Sequence, residues 1–136
     1  MTRTEKREVI IKILYQCNIL DKIKEEYDIE ELSNEYTKND TFIIETTKNI
    51  KEHEKELEKI GNKYLDDKWT MNRLPIIDQA ILLLGIYELL YTDTPNVVII
   101  NEAINLSKKY SDEVMPKVIN GVLDSVFHNE ERINDW

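Results

Sequence analysis

The residues best suited to chemistry stand at the very start of the chain. Arg3, Lys6 and Arg7 fall within five positions, at the opening of a stretch with helical spacing, where side chains project from a helix end and backbone N–H groups point outward. Both features suit contacts to phosphate oxygens. Tyr15 lies eight residues beyond Arg7, about two helical turns, so its ring can share their side and meet an unstacked base. The same residues also fit a solvated basic end with Tyr15 packed on a neighbouring helix. Three or four bases are few for a polyanion surface, so taken alone they favour that solvated end.

Nucleophilic, acid–base and metal chemistry find less support. His53 and His128 sit on charged helical stretches far apart, with no serine, cysteine or acid at a spacing that suggests a triad or a zinc site. Cys17, the one cysteine, falls on an apolar face and reads as a buried thiol. The carboxylates of 21–68 alternate with lysines, as on solvated helix faces. Three scattered glycines cannot build a phosphate loop. The expectation is a binding protein, not an enzyme, with no cofactor and no metal.

Charge distribution sharpens the basic end. The net charge is −9, which ordinarily argues against a nucleic-acid partner. Residues 1–20 nevertheless hold four bases against two acids, whereas 21–68 hold nine against 15 and 69–136 hold five against ten. Only the first segment is positive. A length of 136 residues with 41% hydrophobic and 33% charged side chains suits one soluble domain with its own core. A single cysteine fits a reducing compartment, and MTRTEKREVII lacks a signal-peptide pattern. The expected address is the cytoplasm, with no membrane partner.

The elements that must position these residues are helices. Arg73 to Tyr91 organises the rest: from Ile76 onward only Asp78, Gln79, Gly85 and Glu88 interrupt the apolar residues, the mark of a helix covered on most sides. It is too short for a bilayer and carries acids. Residues 4–20 form an amphipathic helix with Val9, Ile10, Ile13, Leu14 and Cys17 inward. The acidic 21–39 segment holds a short helix between mobile connections. A long helix over 41–67 follows, with Ile43, Ile50, Leu57 and Tyr64 seven apart, Ile60 filling the seam and Gly61 kinking or dividing it. After Thr92 to Asn96 stops the central helix, Val97 to Ile100 open another that runs to about Tyr110. The last covers about 113–128, with Val118, Ile119, Val122, Leu123, Val126 and Phe127 as its core side, before a polar tail, 129–136, expected to fray. The fold class is all-α, a compact helical domain.

At the central helix the residues become specific to a family. Trp69, Arg73 and Leu74, Asp78 with Ala80, Ile81 and Leu82, then Tyr87, Glu88 and Leu89, Ile100 to Ala103, Lys117, and Asn120 to Asp124 resemble, in order and spacing, the second half of the NusB family of transcription antitermination factors. REVIIKILYQ looks like that family's first helix, and the likeness covers about two thirds of the chain. The resemblance implies two small helical bundles with a boundary near Asp67. It also implies binding of the boxA element of ribosomal RNA leader transcripts together with the ribosomal protein NusE, within an RNA polymerase elongation complex carrying other Nus factors that becomes resistant to termination. The family's basic motif maps onto Arg3 to Arg7, its first-helix tyrosine onto Tyr15, its acid near the RNA onto Asp78 and its last motif onto Lys117.

The chain departs from that pattern in places. Glu5 interrupts the basic motif, Leu83 stands where the family usually has an arginine, and Val114 and Val118 replace residues often acidic and aromatic. Each lost phosphate contact lowers the salt slope by about 0.7 for single strands, so this chain alone should bind RNA less tightly than its relatives. The competing expectation is a helical protein-interaction adaptor that uses this fold without RNA. Family members occur as monomers and homodimers, which leaves the oligomeric state open.

Overall fold

Helix α5, Ile76–Tyr91, buries 13 of its 16 residues, as its nearly unbroken apolar sequence predicts. The computed structural model describes residues 1–133, and these form seven α-helices: α1 Arg3–Lys22, α2 Ile29–Asn34, α3 Thr41–Glu52, α4 Glu54–Tyr64, α5, α6 Asn96–Tyr110 and α7 Met115–Asn129. No strand occurs among the described residues. Two units divide the chain, Met1–His53 and a second that begins at Glu54. The division falls earlier than the Asp67 boundary expected from sequence.

In the first unit α1 and α2 both pack on α3. Val9, Ile10, Ile13, Leu14 and Cys17 are buried as their spacing requires, and α3 contributes Ile43, Ile44, Thr47 and Ile50. The connections around α2 are tied down by side chains. Lys51 Nζ lies 2.6 Å from Asp21 Oδ2, Tyr27 donates to Asp21, and the Asn34 amide oxygen accepts from the Asn39 N–H.

The expected 41–67 helix is two helices. The break falls at His53, whose backbone leaves helical geometry (φ −101°, ψ 11°) while its N–H still reaches the Asn49 carbonyl. Gly61, expected to kink the segment, lies inside α4 and serves packing instead: a Cβ there would sit 2.6 Å from Met71 Sδ.

In the second unit α5 packs against α4, α6 and α7. Gly85 makes the closest approach possible, since a Cβ on it would fall 2.9 Å from both methyls of Leu123, itself fully buried. On α7 the core face is Met115, Ile119, Val122, Leu123 and Val126. Phe127, assigned to that face from sequence, is 42% exposed, because one step beyond Val126 turns it about 100° off the core.

The tail does not fray through Ile133. Glu130 accepts from Lys63 at 2.8 Å and from the Tyr64 hydroxyl, Arg132 donates to the Thr92 and Thr94 carbonyls, and the Ile133 N–H reaches the Leu90 carbonyl at 2.6 Å. Trp136, the other apolar tail residue, lies outside the described residues.

Two measurements check this account. Gly85→Ala should destabilise the chain by about 1–3 kcal/mol in denaturant unfolding, because the buried Leu123 side chain has nowhere to move. The Glu130 carboxyl is held below its ordinary 4.5 by Lys63 and then Tyr64. Its folded pKa is therefore depressed, so its contribution is present above 4.5 and lost as pH falls through the folded value. The Tm gap between wild type and Glu130→Gln should accordingly open near neutral pH and close well below 4.5.

Candidate nucleic-acid interface

The basic end of α1 is built on a capping box. The Thr2 hydroxyl accepts from the Glu5 N–H at 3.1 Å, and the Glu5 carboxylate accepts from the Thr2 N–H at 2.9 Å, satisfying two donors at the helix start. Those bonds to Thr2, the backbone one foremost, lower the Glu5 pKa. The acid that interrupts the basic motif is thus committed to holding the helix that displays it.

The three bases of the motif have different surroundings. Arg3 is exposed, with its guanidinium 3.7 Å from the centre of the Phe42 ring, an arrangement that orients the cation while leaving its edge available. Lys6 Nζ lies 3.0 Å from Asp40 Oδ2. Asp40 also caps α3 by accepting from the Ile43 N–H at 2.9 Å. Burial raises the Asp40 pKa, but the Ile43 and Lys6 hydrogen bonds more than offset this and hold it low. Arg7, placed with the others by sequence, is 3% exposed and engaged within the protein. Tyr15 is 40% exposed, so the ring faces solvent rather than packing under a neighbouring helix. Eight helical steps are not a whole number of turns, which is why Tyr15 and Arg7 meet different surroundings.

Asp78 and Lys117 belong to the second unit. Lys117 is exposed on the first turn of α7. Asp78, expected near an RNA edge, is fully buried. Its carboxylate accepts from the Ser107 hydroxyl at 3.1 Å and the Ser111 hydroxyl at 2.5 Å. Burial raises its pKa, the two serines oppose that, and Asp112 adds to it. A carboxylate so enclosed is closed to solvent and ties α5 to α6 and to the turn before α7. Ser107 and Ser111 were missed from sequence, since nothing in their local pattern points to an acid 29 and 33 residues away. Leu83 is 6% exposed, at home in the core. Among the described residues no group of His, Cys, Asp and Glu could hold a metal ion, and no helix is long and apolar enough to cross a membrane.

Residues 4–128 match the family model described as the NusB family. The chain belongs to that family. A transcription antitermination protein NusB from Macrococcus caseolyticus is 39% identical over 133 residues, covering 96% of this chain and 99% of the relative. Among solved structures, T. maritima NusB superposes with a TM-score of 0.83 at 31% identity, over 98% of this chain and 94% of that one. Antitermination factors NusB and NusE in complex with dsRNA give a TM-score of 0.71 at 23% identity, over 94% of this chain and 98% of that chain, a likeness of fold. The curated relatives carry the description transcription antitermination protein.

Removing the Asp78 carboxylate tests its structural assignment. Asp78→Ala leaves two hydroxyls without their acceptor and should cost about 1–3 kcal/mol of stability in urea unfolding.

Proposed function

We propose that the chain is an RNA-binding transcription antitermination factor. It binds boxA RNA of ribosomal RNA leader transcripts together with the ribosomal protein NusE, and joins the RNA polymerase elongation complex and other Nus factors in the cytoplasm to make the polymerase resistant to termination. The observation that carries this reading is family membership along almost the whole chain combined with a capped helix start that presents Arg3 and Lys6. The complex of NusB and NusE with dsRNA, which shares this fold, supports the choice of partners.

In this reading Arg3, Lys6 and Lys117 hold phosphates and Tyr15 meets a base, whereas Arg7 and Asp78 act from inside as supports. Few charges and a tyrosine suit single-stranded recognition, in which stacking supplements ion pairing. The adaptor reading draws on the acidic body and on the burial of Arg7, which thin the positive surface.

Titration of boxA-like RNA at two salt concentrations, with and without NusE, decides between them. The expected result is preference over a scrambled RNA, a fall in affinity at the higher salt and tightening by the partner. Arg3→Ala with Lys6→Ala should weaken binding and reduce the salt slope by no more than about 0.7 per contact. Equal affinity for the scrambled RNA under all four conditions would favour the adaptor.

A further inference from the structure

The chain has three glycines, all of them within helices, and two are explained by what they touch. Gly61 makes room for Met71 and Gly85 for Leu123. Gly121, in the middle of α7, has no atom within 4 Å of the place its Cβ would occupy apart from its chain neighbours and its own helix backbone. Only proline disfavours a helix interior more than glycine does, so a glycine with nothing beside it weakens α7 without any packing return inside the chain. Such a position suits close approach to the backbone by something that is not part of the protein.

The surroundings of Gly121 indicate what approaches. It lies in an open groove of about 400 Å³, within the roughly 300–1,000 Å³ of small-molecule sites. The groove runs between the end of α4 with the segment after it and the exposed side of α7. Tyr64 and Trp69 supply aromatic surface, Lys117 a cation, Asp66 a carboxylate and Ser125 a hydroxyl. The Tyr64 hydroxyl is fixed by Glu130, which sets the ring. Trp69 carries an indole N–H that is buried and has no acceptor among the described residues, an idle donor in a wall of the groove. Aromatic faces, one cation and one acceptor of N–H groups together match the parts of a single nucleotide: a base to stack, a phosphate, and a base edge with donors. A partner's apolar side chain would use the rings but neither Lys117 nor Asp66.

We propose that the groove lined by Tyr64, Trp69, Lys117 and Gly121 receives one unstacked nucleotide of the bound RNA. Its base lies against the aromatic wall and over the bare helix at Gly121, its N–H edge turns to Asp66, and its phosphate pairs with Lys117. This rests on the RNA-binding reading above, in which Lys117 already holds a phosphate, and adds a site for a base beside it on α7.

Gly121 makes the proposal testable without damaging the fold. Gly121→Ala places a methyl in empty space, so Tm should hold or rise while affinity for boxA-like RNA falls. Gly121→Gln fills the groove and should weaken binding by about five- to 150-fold, the range one stacked base contributes. In a Trp136→Phe background Trp69 is the only tryptophan. Its emission should change as the RNA saturates and stay constant in the Gly121→Gln version. RNA affinities within twofold of wild type together with constant Trp69 emission overturn the groove assignment. So does a Gly121→Gln variant that loses NusE but keeps RNA, which would make the occupant a protein. Loss of boxA preference in the wild type overturns the RNA reading and the groove with it. Loss through Arg3→Ala and Lys6→Ala with indifference at Gly121 overturns the groove alone.

Discussion

Enclosure of α5 is the constraint on which the second unit depends. A helix with 13 of 16 residues buried must let a neighbour approach its backbone, and it must find partners for polar groups that water cannot reach. Gly85 meets the first demand by seating Leu123. The second is met by joining α5 to segments that are not helical or have just ceased to be. Gln79 donates to the Leu74 carbonyl, Asp78 receives Ser111 from the turn before α7, and the Leu90 carbonyl takes the Ile133 N–H. The buried helix is therefore also the anchor of its own connections, and α7, with Lys117 and Gly121, is held through it.

Much of this was legible in the sequence where one physical signal dominated. α5 was plain because hardly any polar residue interrupts it, and α1 because its apolar residues keep one face. The 41–67 segment misled because a seven-residue repeat continues across His53, while the break needs only a change of backbone angles at one residue and no glycine or proline. Gly61 looked like that break and is instead a packing position. The resemblance referred Asp78 to an RNA edge, and its buried role could not be read because its partners Ser107 and Ser111 come from another helix and its end. Arg7 and Phe127 were misjudged for one reason: residue type announced an exposed cation and a core ring, and helix angle decided otherwise. The family resemblance carried the functional reading further than any of these signals and named candidate residues as well, of which Arg7 and Asp78 are buried.

A chain with a net charge of −9 repels RNA at a distance. At physiological salt that repulsion is screened within about 8 Å, so binding is decided by groups at close range. Within the basic motif the two cations that are not buried are each tied to a neighbour: Arg3 lies over Phe42 and Lys6 pairs with Asp40. Fixing them lessens the side-chain entropy lost when RNA is bound, which compensates in part for their small number.

The Lys6 to Asp40 pair has a further consequence. In the proposed RNA complex a phosphate that takes Lys6 displaces a carboxylate already within 3.0 Å, so the step is an exchange of one anion for another. Asp40 is then left to attract a cation from solution while the RNA gives one up. The two ion movements oppose each other, and the net number of ions released falls below the number of phosphates held. For this chain a shallow salt dependence is thus compatible with an intimate interface, and the apparent ion count is a lower bound on the contacts made.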